Sequence, residues 1–222
     1  MKDGITVRQF HESEGVEDWR VLSEGASAFF RMGSFAAAAR LVQGISELPE
    51  LDDHRPEVDV RHDGVTVRLI TITDDWYGMT QRDVELARRI SAVAREQGLS
   101  ADPSAVQNLL VVPGAPITAE VMPFWRALLG YEPRGDSPDE DLVDPHRLGP
   151  SFWFEQMAEP RTDGGGGIHV AIWVPYEQAE ARVAAALAAG GRMVRDQFAP
   201  AWWTLADAAG NEADISTTMN RD

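Results

Sequence analysis

Residues 47–72 read ELPELDDHRPEVDVRHDGVTVRLITI, and this stretch decides how the first half of the chain folds. Val65, Val67 and Leu69 alternate with Thr66, Arg68 and Ile70, the period of two that marks a half-buried strand. Asp63 and Gly64 form a turn signal just ahead of it, so the run is the second arm of a hairpin whose first arm is 57–61. The polar approach, with acidic side chains, His54 and His62, is either a site or a solvated surface.

Working outward, SFAAAARLVQGISELPE (34–50) places Phe35, Ala38, Leu41, Val42 and Ile45 at helical spacing. Ser34 serves as N-cap and Pro49 as stop. On the other side, TQRDVELARRISAVAREQG (80–98) opens with a Thr80 and Asp83 capping pair and ends at Gly98. Upstream, DWRVLSEGASAFFRM (18–32) predicts two strands around a turn at 23–25. The order strand, strand, helix, strand, strand, helix is buried by an antiparallel sheet with helices on one face, an α+β arrangement. The polar LSADPSA (99–105) reads as a linker, giving domains at 1–98 and 106–222.

The second half holds a weak internal repeat. VQNLLVV (106–112), a helix around AEVMPFWRALLGY (119–131) and strands ending in SFWFEQM (151–157) are echoed by a second set. That set is IHVAIWV (168–174), a helix around YEQAEARVAAALAAGG (176–191) and strands ending in EADIST (212–217). Pro123 points to a first-helix start near Met122. GDSPDEDLVDPHRLGP (135–150) reads as a polar loop, and the four glycines 164–167 as a flexible joint.

The chain has 222 residues, no cysteine and a formal net charge of -16. Without cysteine, any metal must be held by His, carboxylate or amide oxygen. The negative charge opposes phosphate backbones and anionic lipid surfaces, so no nucleic-acid or membrane partner is expected. With neither a signal-peptide apolar core nor a spanning run, the chain reads as soluble and cytoplasmic.

Residues 15–98 resemble pterin-4a-carbinolamine dehydratase. The resemblance is carried by the Trp19 region, FFRMGSFAAAARLV (29–42), Glu50 and His54 followed by Pro56, and GMTQRD (78–83). It implies a lyase that eliminates the hydroxyl of a 4a-hydroxytetrahydrobiopterin with no added cofactor. That chemistry needs one group to protonate the departing hydroxyl and another to take a proton from the ring nitrogen, roles that imidazole suits near neutral pH. By the resemblance His54 is the acid-base residue, Glu50 orients it, and Arg55, Pro56 and Asp83 bind the substrate; Trp76 or Tyr77, close to the motif, is the candidate stacking wall for the ring. Arg55 stands where the family has His or Asn, and Ile72 stands at the third histidine position, so the histidine set is incomplete. His62 is the candidate to replace the lost member.

Residues 106–219 resemble the glyoxalase, bleomycin-resistance and extradiol dioxygenase superfamily, the vicinal oxygen chelate proteins. The carrying features are VQNLLVV, FWRALLGY, IHVAIWV and LADAAGNEADI (205–215). The resemblance implies paired βαβββ modules forming a half-barrel, and a divalent metal held near Gln107, Glu155, His169 and Asp214, with Glu212 as the alternative to Asp214. Three functions follow as alternatives: a pterin dehydratase-like lyase, a metal-dependent lyase, isomerase or dioxygenase, and a non-catalytic small-molecule-binding or dimerisation module. Both resemblances imply a homo-oligomer and a small-molecule ligand, a pterin in the first reading.

Overall fold

A computed structural model divides the chain into two compact units, one reaching to Val106 and one spanning 107–221. The structure describes residues 3–49, 51, 54–74, 76–157, 168–206 and 212–221. Glu50 and the glycines 164–167 lie outside the described residues.

The first unit opens with a short helix, α1 (Val7–His11), absent from the sequence reading. Strands β1 (Arg20–Leu22), β2 (Gly25–Arg31), β3 (Glu57–Val60) and β4 (Gly64–Leu69) form an antiparallel sheet in the order β1-β2-β4-β3. Its inner face presents Ala26, Ala28, Phe30, Val65, Val67 and Leu69, all buried, as the alternation in 64–69 requires. Helices α2 (Phe35–Ser46) and α3 (Gln81–Glu96) cover that face with Ala38, Leu41, Ile45, Val84, Ala87, Ile90 and Ala94. Phe35, at the first position of α2, is 77% exposed instead of joining this core. Trp19 is fully buried, and its Nε1 donates to Ser91 Oγ on α3 at 3.1 Å, tying the strand entry to the helix.

A second hairpin, β5 (Thr71–Thr73) and β6 (Trp76–Gly78), leads into α3. Residues 99–105 belong to the first unit: Ala101 bridges to Phe30, and Asp102 N–H donates to Phe29 O at 2.7 Å. The polar composition that reads as a linker is instead an edge segment laid along β2.

Gly25 closes the β1–β2 turn at φ +98, and a Cβ there would stand 2.3 Å from Leu69 O. Gly25→Ala is therefore expected to destabilise the first unit by about 2 kcal/mol or more, because strain and a backbone collision coincide. Chemical denaturation of the full chain measures it.

The second unit contains β7 (Asn108–Ala115), α4 (Thr118–Leu129), β8 (Glu132–Pro133), β9 (Asp141–Val143), β10 (Ser151–Trp153) and β11 (Glu155–Gln156). It continues with β12 (Ile168–Trp173), α5 (Tyr176–Ala188), β13 (Arg192–Arg195), β14 (Trp202–Ala206) and β15 (Glu212–Ser216). The sheet order is β13-β14-β15-β12-β7-β10-β9-β8, with β11 also on β7. In each module the last strand runs parallel to the first, β10 on β7 and β15 on β12, and the modules join through the antiparallel pair β7–β12. This is the duplicated βαβββ pattern expected of the vicinal oxygen chelate fold.

Two details differ from the sequence reading. Helix α4 starts at Thr118 and runs through the exposed Pro123 to Gly130, which caps it at φ +69. The acidic stretch 135–150 contains β9, whose Leu142 is fully buried against Phe152 and Phe154. Three residues flanked by acids carry too little periodicity to be recognised as a strand.

Candidate functional site

In the first unit the site is built at the N-terminus of α3. Thr80 is the N-cap and Asp83 the third helical residue, paired in a capping box. Asp83 is fully buried. Its Oδ2 accepts from Thr80 N at 2.7 Å, Thr80 Oγ1 at 2.8 Å and Thr71 Oγ1 at 2.8 Å. Its Oδ1 lies 2.8 Å from His54 Nε2. An ionised carboxylate only accepts, so the imidazole donates from Nε2, and Nδ1 is the ring nitrogen not facing Asp83. The His54 side chain is only 12% exposed. The arrangement holds one ring orientation and one tautomer, what a proton-transferring histidine requires.

The remaining predicted residues fall in three places. Arg55 is exposed and Pro56 half-buried at the entry to β3. Trp76 lies against Gly4, where a Cβ would come within 2.5 Å of the ring, and its Nε1 is buried without a partner among the described residues. His62 is at the β3–β4 turn with its side chain 94% exposed and Nδ1 3.7 Å from Asp63. Four strand residues separate the two histidines, about 13 Å at strand rise. His62 therefore does not join His54, because a hairpin carries its turn away from its open end. Asp83, expected to touch substrate, is fully buried and lies in hydrogen-bond contact with His54. The capping spacing pairs Thr80 with Asp83 in the sequence, whereas nothing in it signals Thr71 as the further partner.

In the second unit, strand register sorts the candidates onto faces. His169 pairs with Val112 and Trp173 with Asn108 across β12–β7, and Ala171 pairs with Asp214 across β12–β15. The helix-facing set is Ile172, Val174, Trp203, Leu205 and Ile215. The opposite, open face carries His169, Trp173, Asp214, Glu212, Glu155 and Asn108. Gln107 is exposed and accepts from Arg182 of α5 at 3.3 Å, on the helix side. Its neighbour Asn108 is the inward residue, since a slip of one position reverses the face.

His169 Nε2 lies 3.3 Å from Asp214 Oδ2. Among the described residues no three His, Asp or Glu side chains converge as a metal-holding group. With Gln107 turned away and His169 engaged by Asp214, the proposed donor set does not fit a divalent ion.

Family comparisons agree with this division. A model described as pterin 4 alpha carbinolamine dehydratase matches residues 5–93, and one described as a glyoxalase-like domain matches 110–216. A protein of Nocardia farcinica named "Putative pterin-4-alpha-carbinolamine dehydratase" is 35% identical over 82 residues, covering 37% of this chain and 84% of the relative. One of the same name from Acidobacterium capsulatum is 33% identical over 75 residues, covering 34% and 79%. The chain belongs to the pterin-4a-carbinolamine dehydratase family. A glyoxalase-like domain of the vicinal oxygen chelate fold is fused to this dehydratase-family unit. A solved glyoxalase/bleomycin resistance protein/dioxygenase superfamily member from Vibrio splendidus covers 50% of this chain and 99% of its own, at 16% identity and a TM-score of 0.34. Among the described residues, no helix is long and apolar enough to cross a membrane.

The glyoxalase-like domain has its own titrating group. Burial alone would lower the His169 imidazole, but the Asp214 hydrogen bond and charge, backed by Glu155 and Glu212, carry it above its ordinary value. A proton held more tightly when folded stabilises fully below the unfolded value near 6.5, and that contribution fades as pH rises through the elevated folded value. The thermal midpoint of this domain is expected to fall as pH is raised from about 6.5. Asp214→Asn is expected to flatten the decline, as circular dichroism melts across pH will measure.

Proposed function

We propose that the first unit is a lyase that dehydrates a 4a-hydroxytetrahydropterin, with His54 as the proton-transferring residue and Asp83 as its positioning residue. The observation supporting this reading is the 2.8 Å contact between His54 Nε2 and the fully buried Asp83. In the reaction the C4a–O bond breaks, the hydroxyl takes up a proton and leaves as water, and the ring nitrogen releases a proton. No oxidant or metal enters the balance. Nδ1 of His54 carries the proton, while Asp83, Thr71 and Thr80 hold the ring so that its entropy is lost before substrate arrives. Arg55, permanently charged, binds a polar ring edge and transfers no proton.

The test is the dehydration rate of freshly generated 4a-hydroxytetrahydropterin with the full chain. A rate well above background, unchanged in His62→Ala, supports the reading. A rate at background from folded protein overturns it and leaves the first unit as a binding or assembly module.

A further inference from the structure

The open face of the glyoxalase-like domain has an aromatic end. Registers Trp202 with Ser216, Ser216 with Trp173, and Trp173 with Asn108 set these residues in one cross-strand row, and Asp214 lies in the next row beside Ala171. Among the described residues, Asn108 Oδ1, Trp173 Nε1 and Asp214 Oδ1 are buried without a hydrogen-bond partner. A buried polar atom without a partner has given up its hydrogen bond to water, and three on neighbouring rows of one face present two acceptors and one donor.

The chain itself shows what shape fits there. Arg221 is exposed as a residue, but its guanidinium lies over Trp173 with Cζ 4.5 Å from the ring centroid, and over Trp202 at 5.2 Å. Its Nε donates to Thr217 O at 2.9 Å and an Nη to Ala201 O at 3.3 Å. A flat cation over two indoles is favourable. Yet guanidinium has no acceptor, so it cannot meet the Trp173 N–H, and these two bonds go to backbone carbonyls and not to Asp214 or Asn108.

We propose that this face binds, without a metal, a flat heterocycle carrying a guanidine-like amino-amidine edge and a ring carbonyl, the 2-amino-4-oxopyrimidine class, held edge-on to Trp173, and that Arg221 competes with it for the space beside the two indoles. The amino edge donates to Asp214 Oδ1 and Asn108 Oδ1, and the carbonyl accepts from Trp173 Nε1. His169 stays on Asp214 Oδ2 and fixes that carboxylate. The site lies in the second unit and does not rest on the chemistry assigned to His54.

Calorimetric titration of the full chain with pterin (2-amino-4-oxopteridine) and with lumazine (2,4-dioxopteridine), which lacks the amine, tests this. The expected result is pterin binding with a component that Asp214→Asn weakens at least about tenfold, that lumazine does not reproduce, and that Arg221→Ala tightens several-fold. Pterin binding indifferent to Asp214→Asn, equal binding of lumazine, or weaker pterin binding in Arg221→Ala would overturn the proposal. A failed rate assay with the Asp214-dependent binding intact would sink only the dehydratase reading.

Discussion

His54→Ala is expected to lower the dehydration rate by about 10²–10⁴-fold, the usual worth of a positioned general acid-base group. The loss should appear in kcat more than in KM, because Nδ1 contributes where protons move and little to ground-state binding. The fold should survive, since His54 lies at the surface end of the site and its removal leaves Asp83 with three donors to Oδ2. His54→Gln is the informative companion: its amide can donate to Asp83 Oδ1 but cannot shuttle a proton. Stability near that of the parent with a rate as low as His54→Ala would separate proton transfer from packing. A His54→Ala rate equal to that of the parent would remove His54 from the mechanism.

Asp83→Ala carries the largest expected stability loss, about 3 kcal/mol or more, because it leaves several buried donors unsatisfied at once. The substitution strands the Thr80 N–H and the Thr71 and Thr80 hydroxyls, and it removes the capping box that starts α3. Because α3 supplies Val84, Ala87, Ile90 and Ala94 to the core, the loss should be felt across the first unit in a urea or thermal unfolding curve of the full chain. Asp83→Asn separates the two duties of this residue. Its one amide oxygen can face His54 or the three donors, not both. An intermediate stability loss with a rate falling toward that of His54→Ala is expected. A stable variant with the parent rate would show that Asp83 does not position the histidine.

Much of the architecture was legible because its signals are local. Val65, Val67 and Leu69 declare a strand by alternation, Ser34 and Thr80 mark helix starts, and the two passes of strand, helix and strands announce the duplicated module. Short elements escaped for the same reason: β9 and α1 are too brief for a period to establish itself. The motif residues also pointed to His54 and Asp83, though not to their relation.

The amino-acid sequence by itself determined the two families, the order of the longer strands and helices, and the chemical types available: imidazole, carboxylate and amide, with no thiol. Only the tertiary structure decided which of these meet. Asp83 lies 29 positions beyond His54, and their 2.8 Å contact exists because the end of β4, the β5–β6 hairpin and the start of α3 return the chain to the open end of the β3–β4 hairpin. His62, eight positions from His54, is carried off by the same hairpin. In the second unit, strand pairing set Asn108 inward and Gln107 outward, a choice of parity that composition cannot express. Proximity along the chain is fixed by covalent geometry, whereas proximity across it is fixed by register and packing, and the chemistry of both candidate sites depends on the second.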